Sequence, residues 1–510
     1  MSDIDSRRAA RLVLLAAIVA VLGAAKLAYL PGTGPFGTDG SFYVNVARNV
    51  QEGIGLKTNV SLYHYGQTEL PTRTPLIYPL WPLLLGFAGR AIGLLAAVNY
   101  LPPLFYVLDL ILVYMLVNRL APSDSIFTHG HLFALLLGVN VQFFGTTSFP
   151  YTEGLGFFFA LLALIALDRR WGAAAGLLCG LALLTRTQMV LVGIGIAVAF
   201  LWSALRERRH VRQAIAFFGV YALMVACWQL FFVRVPSSPT VPLPPFAMWN
   251  ETSGIADWLR QRLEGVIVSL TPWSPFSYFA IFHAAFVLPL VAIPVALVRW
   301  WRTKSFAPRP LAIACAVTAL GTYASLNLYH HVSGFLVPWL FGYRHALPMI
   351  FGIAVAAAYL PRVVTYVCCA IAIGVGIFAI VDLVTAPRVF TPTPAEAQMI
   401  AWLERQEPRP VVLTARAQHL SAYSHASIHW TECRTGREMT RLMLQRLPIQ
   451  YVIVYPGEER CEFLRSLRDL LEVRTSFGTG RDRVVVLSVR RATPPAPVPA
   501  SSRAARTPPG

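Results

Sequence analysis

A lone carboxylate close to the first apolar stretch is the residue in this sequence with the clearest catalytic chemistry. Asp39 lies in the segment Thr38-Asp39-Gly40-Ser41. A carboxylate there can cap a following helix, because it accepts hydrogen bonds from the free N–H groups of the first turn. It can also act as a general base that removes a proton from an attacking hydroxyl. The pattern leaves both roles open, and they can coexist because a carboxylate has two oxygens.

Basic side chains further along the same segment have the chemistry to hold a phosphate. Arg73 lies in the proline-punctuated run PTRTPLIYP, residues 71–79, and Lys57 and His64 precede it. An arginine at a membrane interface can snorkel to lipid phosphates in general, or clamp one phosphate through its forked donors. Our hypothesis for Arg73 is the specific clamp, with Lys57 as a further contact.

A second basic group comprises His330 and His331 and the consecutive residues Tyr343, Arg344 and His345. No H-x-x-x-H spacing and no companion cysteine or aspartate indicates a zinc site. We therefore predict no metal site and no cofactor from these residues. The sequence leaves open whether the reaction uses a divalent ion. A phosphate-binding edge is the simpler interpretation. Three consecutive side chains cannot all point into one site from one helix face, so Arg344 is its principal residue, with His345 beside it.

Three further ionisable residues fall inside apolar stretches or at their ends. Glu153 begins one such stretch, where the helix dipole favours an acid, so a structural role and a place in a substrate cavity are both open. Asp109 and Arg186 lie deeper, where a charge is costly unless it faces protein or water. Each of them either lines a cavity or makes a buried polar contact that holds helices together. The candidate cavity residues are Tyr43, Glu153, His330, His331 and Tyr343.

The composition shows which kind of protein must position these residues. Hydrophobic residues make up 56% of the 510 residues, charged residues only 13%, and mean hydropathy is +0.55. An ordinary globular domain carries about 25% charged residues. Apolar runs of about 20 residues recur, and each is long enough to cross a bilayer as a helix. The sequence therefore predicts a polytopic α-helical membrane protein and excludes a soluble globule, a coiled coil and a disordered chain.

We predict eleven transmembrane helices separated by short loops. They cover residues 11–30, 98–118, 130–148, 151–168, 171–186, 188–204, 213–233, 276–298, 310–328, 346–360 and 363–385. The net charge of +18 could suggest nucleic acid, but the basic residues cluster in loops on one face, as the positive-inside rule requires. We therefore predict membrane lipids as partners and no nucleic acid. The expected location is the bacterial cytoplasmic (inner) membrane, with the N-terminus inside.

Two long loops are predicted on the external face, at 31–97 and 234–275. In the first, Phe42, Val46 and Val50 recur every four residues, which predicts an amphipathic helix lying in the membrane surface. Residues 76–97 contain Arg90 and nearby prolines. We interpret them as interfacial helices, with a twelfth span as the alternative.

From residue 393 the pattern changes to that of a small α/β domain. Thr393-Pro394-Ala395-Glu396 is a capping box with proline at the first helical position. Strand-like runs follow at 410–415, 451–455 and 482–489. The predicted units are a transmembrane domain at 1–392, an extracytoplasmic α/β domain at 393–490 and a disordered tail at 491–510. Cys433 and Cys461 fall in the α/β unit, and whether they pair is open, because spacing alone does not show proximity.

This layout resembles that of the GT-C membrane glycosyltransferases. The resemblance is carried by Gly37-Thr38-Asp39-Gly40-Ser41-Phe42-Tyr43 after a single span, by Arg73-Thr74-Pro75-Leu76-Ile77-Tyr78-Pro79, and by Gly342-Tyr343-Arg344-His345-Ala346-Leu347-Pro348. In these three segments the sequence is similar to protein O-mannosyltransferases and lipid A aminoarabinose transferases. Many relatives have Asp-Glu at the first motif, whereas Gly40 follows Asp39 here.

The resemblance implies inverting transfer of a hexosyl or pentosyl group from a polyprenyl-phosphate sugar to an extracytoplasmic acceptor, in cell-envelope glycan biosynthesis. Asp39 would be the catalytic residue, and Arg73 and Arg344 would bind the donor phosphate. The acceptor, a glycan, lipid or protein, is not identified by short motifs. The alternatives are a transporter or flippase of a lipid-linked glycan, and an inactive scaffold in which Asp39 only caps its helix.

Overall fold

A computed structural model describes most of the chain. The described residues are 3–30, 38–61, 66–67, 69–73, 78–230, 240–241, 298, 309–333, 347–385, 392–431, 437–461, 464, 467 and 469–490. The predicted span at 276–298 and the loop at 234–275 lie outside them, apart from 240–241 and 298. The predicted tail at 491–510 also lies outside. The count of eleven spans therefore stays a prediction.

A helical bundle forms the larger part of the structure. The described helices up to residue 385, of which all but α2 belong to this bundle, are α1 (Asp3–Ala28), α2 (Thr38–Gln51), α3 (Leu80–Ile92), α4 (Leu94–Leu120), α5 (His129–Gly138), α6 (Val141–Thr146), α7 (Glu153–Asp168), α8 (Gly172–Thr185), α9 (Val190–Arg206), α10 (Val211–Trp228), α11 (Pro310–Ser333), α12 (Ile350–Tyr359) and α13 (Arg362–Thr385). Five helical stretches in the described part of the chain are long and apolar enough to cross a membrane: 5–28, 94–120, 187–206, 211–228 and 362–385. The chain is a multi-pass, mainly helical membrane protein, as the composition predicts.

The predicted span at 130–148 is wrong as a single helix. The structure divides it into α5 and α6 at Asn140, whose side chain caps α6 by accepting a hydrogen bond from the backbone N–H of Phe143 at 3.0 Å. The segment 76–97 also differs from the prediction, because α3 ends at Ile92 and residues 94–97 already belong to α4. With 13 residues, α3 is about 20 Å long, less than the hydrocarbon thickness of about 30 Å.

Small residues allow two helices of the bundle to pack closely. Gly172, Gly176 and Gly180 recur every four residues in α8 and face α10. A Cβ atom added at Gly176 would lie 2.7 Å from the backbone oxygen of Phe217, and one at Gly180 would lie 2.4 Å from Cβ of Met224. Small residues at every fourth position predict close packing against another helix, and the structure confirms this role of the ladder.

A six-stranded sheet forms the second part of the structure, and one of its strands comes from the first long loop. The strands are β1 (Val60–Ser61), β4 (Val411–Thr414), β5 (Ser427–Trp430), β6 (Tyr451–Val454), β7 (Leu471–Phe477) and β8 (Val484–Val489), in the order β1-β5-β4-β6-β8-β7. β1 pairs in parallel with β5, with Val60 opposite Ile428. The sequence did not reveal β1, β5 or β7. The sheet therefore extends beyond the predicted unit 393–490 and fastens the first loop to it.

The two long loops also meet each other. β2 (Gly66–Gln67) in the first loop pairs antiparallel with β3 (Thr240–Val241) in the second, with Gly66 opposite Val241. Both predicted loops therefore lie at the same end of the bundle, as the predicted topology requires.

The predicted capping box at the start of the α/β unit is confirmed. Thr393 Oγ1 accepts from the backbone N–H of Glu396 at 3.2 Å, and Glu396 Oε2 accepts from the backbone N–H of Thr393 at 2.9 Å. Pro394 opens the helix Pro394–Glu404. Cys461 is disulfide-bonded, and Cys433 lies outside the described residues.

Helix α2 is buried between the bundle and the sheet, which corrects the expectation that its apolar stripe faces the membrane. Phe42 and Val46 pack into the apolar core of the sheet with Val60 and Met399. The next face, with Tyr43, Val44 and Ala47, packs against Trp81 and Leu85 of α3. The periodic apolar stripe was therefore read correctly as one face of a helix, but that face meets protein and not lipid.

The polar face of α2 is fastened to the sheet unit and to the first loop. Asn45 is fully buried; its Nδ2 donates to the backbone oxygen of Ser421 at 3.1 Å. Its Oδ1 accepts from the backbone N–H of Asn59 at 2.9 Å and from the Thr58 hydroxyl at 3.2 Å. One amide thus satisfies three polar groups of two other segments.

A histidine between two glutamates adds a second polar link. His425 Nε2 lies 2.9 Å from Oε1 of Glu52 in the chain just after α2, and its Nδ1 lies 2.8 Å from Oε2 of Glu404. Burial raises the pKa of the Glu404 carboxyl. Hydrogen bonds from the His425 backbone, the Ser424 hydroxyl and the His425 ring outweigh this effect, so the net pKa lies below its ordinary value of 4.5.

Replacing Asn45 should loosen the sheet unit from the bundle. Asn45→Ala leaves buried polar groups unsatisfied, at a cost of about 1–3 kcal/mol. We expect a lower midpoint of thermal unfolding in detergent and faster proteolysis within 392–490. Gln51→Ala is the matched control, because Gln51 lies on the same helix but donates to Gly89 of α3. Equal effects of the two variants would contradict this role of Asn45.

Glu404 should make stability fall at acidic pH. Because its pKa is lower in the folded state, the ionised carboxyl contributes stability fully above pH 4.5. This contribution is lost as the pH falls below 4.5 through the folded-state pKa. Its side chain is 35% exposed, so the effect is at most about 1 kcal/mol. Glu404→Gln should flatten the acid side of a melting-temperature profile, whereas Glu472→Gln in an exposed pair with Arg490 should leave it unchanged.

Candidate functional site

Asp39 lies within the first turn of α2, and not directly before the helix as predicted. The helix begins at Thr38, and Asp39 is its acidic first-turn residue. A carboxylate is stabilised there by the partial positive charge of the helix N-terminus. Asp39 is half-buried, whereas residues 40–47 of the same helix are buried. Asp39 is therefore one of the residues of α2 that keep some exposure, together with Arg48 and Gln51.

Four ionisable side chains influence the pKa of Tyr43, which lies one turn after Asp39. Burial raises the pKa of Tyr43 well above its ordinary value. The nearby Asp39, Tyr78 and Glu153 add to this rise in the pKa, and Arg186 acts against it. Residues far apart in the sequence are thus brought together in space. The Tyr43 hydroxyl stays protonated at neutral pH, so it can donate a hydrogen bond.

Arg186 and Glu153 form a buried ion pair in this group. Arg186 Nη1 lies 2.5 Å from Oε1 of Glu153, and their side chains are 7% and 1% exposed. Arg186 also donates to the Thr152 hydroxyl at 3.2 Å and to the Gln188 side chain. Glu153 begins α7 and Arg186 follows the last residue of α8. The acid thus lies at a helix N-terminus and the cation at a helix C-terminus, where each is favoured.

The pair resolves an alternative that the sequence left open. The carboxylate of Glu153 neutralises the charge of Arg186. Arg186 therefore links α7 to α8 as a buried polar contact, and it also lowers the pKa of Tyr43. Tyr78 joins the same segment, because its hydroxyl lies 3.0 Å from that of Thr187. The sequence did not single out Tyr78 as a site residue. Its position within the Arg-Thr-Pro-Leu-Ile-Tyr-Pro run was the available signal.

Asp109 lies behind this group, on α4. It is fully buried, and neither of its carboxyl oxygens has a hydrogen-bond partner among the described residues. A Cβ atom at Gly154 would lie 4.0 Å from its Oδ2. Asp109 is therefore enclosed by protein next to the residue that follows Glu153.

A buried lysine at the end of α1 was missed by the sequence analysis. Lys26 is fully buried, and its ammonium group donates to the hydroxyls of Thr147 at 2.8 Å and Ser148 at 2.7 Å, and to the backbone oxygen of Phe144. It also lies 4.8 Å from the ring centroid of Tyr106. The only sequence signal was a lone lysine within an apolar run. Lys26 fixes the chain between α6 and α7, which leads to Glu153.

The predicted phosphate-binding residues of the first loop lie beside each other. The backbones of Thr58 and Thr72 exchange two hydrogen bonds of 2.7 and 2.9 Å. This bridge places Lys57 next to Arg73. Arg73 is exposed, and Lys57 is half-buried. These two side chains are therefore accessible to a ligand at the loop end of the bundle.

The other predicted site residues cannot be placed in the same way. His64, Tyr343, Arg344 and His345 lie outside the described residues. His330 and His331 belong to α11. In the described ranges, no three His, Cys, Asp or Glu side chains are grouped as metal ligands.

No family model and no curated protein sequence matches the chain. Solved structures do match. The archaeal oligosaccharyltransferase AglB from Archaeoglobus fulgidus, in complex with an inhibitory peptide and a dolichol-phosphate, matches with a TM-score of 0.55 and 12% identity, over 92% of this chain and 74% of that protein.

Two further structures agree. ArnT from Cupriavidus metallidurans, bound to undecaprenyl phosphate, matches with a TM-score of 0.50 and 14% identity, over 94% of this chain and 98% of that protein. The arabinofuranosyltransferase AftD from Mycobacteria matches with a TM-score of 0.54 and 14% identity, over 94% of this chain but 41% of that protein. This chain therefore has the GT-C fold, as the sequence resemblance implied.

The Arg186–Glu153 pair should matter more to stability than exposed ion pairs do. Arg186→Met leaves a buried carboxylate without its cation, which costs about 3–5 kcal/mol. We expect a clear fall in the unfolding temperature in detergent, and partial recovery in the double variant Arg186→Met/Glu153→Gln. Arg119→Met, which breaks a pair with about 30% exposure, should cost at most about 1 kcal/mol. A double variant no more stable than Arg186→Met would contradict the pairing.

Proposed function

We propose that the protein is a membrane glycosyltransferase that moves a sugar from a polyprenyl-phosphate donor to a hydroxyl of an acceptor, with inversion at the anomeric carbon. The observation that carries this proposal is the position of Asp39. It lies in the first turn of α2, at one end of a GT-C bundle, beside Tyr43 and the Arg186–Glu153 pair. A half-buried carboxylate in such a group has the chemistry of a general base.

The ligands of similar structures support the class of donor. AglB was solved with a dolichol-phosphate and ArnT with undecaprenyl phosphate, and both are polyprenyl phosphates. A donor of this class keeps its chain in the hydrocarbon of the membrane and presents its phosphate at the interface. The reacting atoms must therefore lie at an end of the bundle, which is where α2 lies.

The proposed reaction is a single displacement. Asp39 accepts the proton of the acceptor hydroxyl as its oxygen forms a bond to the anomeric carbon. The bond from that carbon to the phosphate oxygen breaks, and polyprenyl phosphate leaves with the bonding electrons. General-base assistance contributes about 10²–10⁴-fold to such a step. The negative charge that develops on the leaving phosphate requires nearby cations or hydrogen-bond donors.

The donor phosphate is proposed to contact Arg73, Lys57, Arg344 and His345. Arg73 and Lys57 are adjacent and accessible at the loop end of the bundle, which supports their part of this set. The proposed cavity residues are Tyr43, Glu153, His330, His331 and Tyr343. Of these, Tyr43 contributes a hydroxyl that stays protonated, and Glu153 holds Arg186 in place.

The proposed orientation places the α/β unit outside the cytoplasm and the N-terminus inside. Basic loops gather at the end of the bundle opposite α2: Arg309 donates to the backbone oxygen of Arg119 at 3.1 Å, and Arg119 pairs with Asp168. Basic loops face the cytoplasm in most membrane proteins. The location in a bacterial inner membrane and the unit boundaries at 392 and 490 belong to the same proposal.

The transporter alternative has less support. Asp109 and Arg186 would have to line a continuous polar path, but Asp109 is enclosed and Arg186 is neutralised by Glu153. The two functions differ in their product. A transporter moves the lipid-linked sugar across a vesicle membrane and leaves the sugar–phosphate bond intact, whereas a glycosyltransferase breaks that bond.

Asp39→Asn should abolish most sugar transfer and leave the fold intact. The amide keeps the size and one oxygen of the carboxylate but cannot accept the acceptor proton, so we expect about 10²–10⁴-fold slower transfer. Release of polyprenyl phosphate from a labelled polyprenyl-phosphate sugar is measured with purified protein and a panel of acceptors. Donor binding and unfolding temperature should change little.

Asp124→Asn is the matched control, because Asp124 is an exposed aspartate in the loop between α4 and α5. It should turn over at the rate of the unmodified protein. Unchanged turnover in Asp39→Asn would remove the assignment of the base. Movement of an intact labelled donor across vesicles, without release of polyprenyl phosphate, would favour the transporter.

A further inference from the structure

A cavity lies at the end of the bundle opposite Asp39, and the proposed reaction does not use it. Its volume is about 200 Å³. Its polar lining is Asp168, Arg170, Ser203, His210, Gln213 and Arg309. Helix α7 runs from Glu153 to Asp168, so its 16 residues separate the two ends by about 22 Å. The cavity is therefore distinct from the group around Tyr43.

Positive charge predominates around this cavity. Arg170 and Arg309 line it directly. The carboxylate of Asp168 is paired with Arg119, and that of Glu207 lies 3.7 Å from Nε2 of His210. Three guanidinium groups thus stand against two carboxylates. The surplus charge suits an anion.

Arg170 has a backbone conformation that points to a specific role. Its φ of 59° lies in the left-handed region, and Arg170 is the one non-glycine residue among those described with positive φ. It follows the end of α7, a position where glycine is usual. Its side chain contacts Nε2 of His210. Arg170 therefore places a guanidinium at the cavity wall from a backbone position that glycine would adopt with less strain.

The surroundings of the cavity indicate a ligand that comes from the membrane. Its floor is apolar and consists of Leu167, Phe200 and Leu311. Helices α9 and α10 contribute Ser203 and Gln213 to its lining, and on their other faces Leu205 and Ile215 are 78% and 66% exposed. The cavity therefore lies between helices whose outer faces are apolar and exposed, as the faces of membrane helices are.

We propose that this cavity binds a phosphate group, supplied by the headgroup of an anionic phospholipid. Arginine forks match the paired oxygens of a phosphate, and basic pockets between membrane helices hold such headgroups. The apolar floor accommodates the carbon backbone next to the phosphate. Free phosphate is the alternative source, and it would not need the neighbouring lipid-facing surface.

The test measures lipid binding by native mass spectrometry of the full chain released from mixed micelles of phosphatidylglycerol and phosphatidylcholine. Arg170→Gln and Arg309→Gln remove the two cavity cations, which lie in different loops: Arg170 follows α7 and Arg309 precedes α11. Arg169→Gln is the matched control, because Arg169 is adjacent to Arg170 but does not line the cavity. Size-exclusion profiles and unfolding temperatures report whether each variant folds. A parallel arm replaces phosphatidylglycerol with inorganic phosphate and records the change in unfolding temperature.

We expect phosphatidylglycerol to bind in preference to phosphatidylcholine. Its binding should fall about tenfold in Arg170→Gln and in Arg309→Gln, weaken with added salt, and stay unchanged in Arg169→Gln. If Arg170→Gln fails to fold, Arg309→Gln decides the result. Equal phosphatidylglycerol binding in Arg309→Gln and Arg169→Gln would overturn the proposal. So would stabilisation by inorganic phosphate, lost in Arg309→Gln, without selective lipid binding.

Discussion

The burial of helix α2 between the bundle and the sheet is the constraint on which the rest of the structure depends. Fourteen residues form this helix, and its faces meet α3, the sheet core and the first loop. Asn45 can be fully buried there at little cost in free energy, because three polar groups hydrogen-bond to its amide. Asp39 in the first turn of the helix keeps some exposure. Asp39 is consequently a carboxylate whose position is set by rigid elements on both sides, which general-base chemistry requires.

Charge at the same end of the bundle is organised by helix termini. Glu153 at the start of α7 and Arg186 after the end of α8 neutralise each other, and both act on the Tyr43 hydroxyl. The cavity with Arg170 and Arg309 lies at the other end of α7. Helix α7 therefore connects the proposed catalytic end of the bundle to a basic end. Glu153 and Arg186 neutralise each other within the protein. The cavity, in contrast, has a surplus of positive charge that a membrane anion can neutralise.

Features that depend on neighbouring residues could be predicted from the sequence, and features that depend on distant pairing could not. The capping box at Thr393, the glycine ladder of α8 and the helical period of α2 are local patterns, and the structure confirms them. The apolar stripe of α2 could not show whether lipid or protein covers it. Strand β1 has two residues and exists only because β5 pairs with it. Lys26 was missed because its three acceptors lie more than a hundred residues away in the sequence.

The most direct measurement is a cryo-electron microscopy map of the protein with a non-transferable polyprenyl-phosphate sugar analogue. The account predicts that the prenyl chain lies along the membrane-facing surface of the bundle, with the sugar at the end that carries α2. The anomeric carbon should face the Asp39 carboxylate across a space large enough for one hydroxyl. A sugar bound at the opposite end of the bundle, or an Asp39 carboxylate turned wholly into protein, would contradict the account.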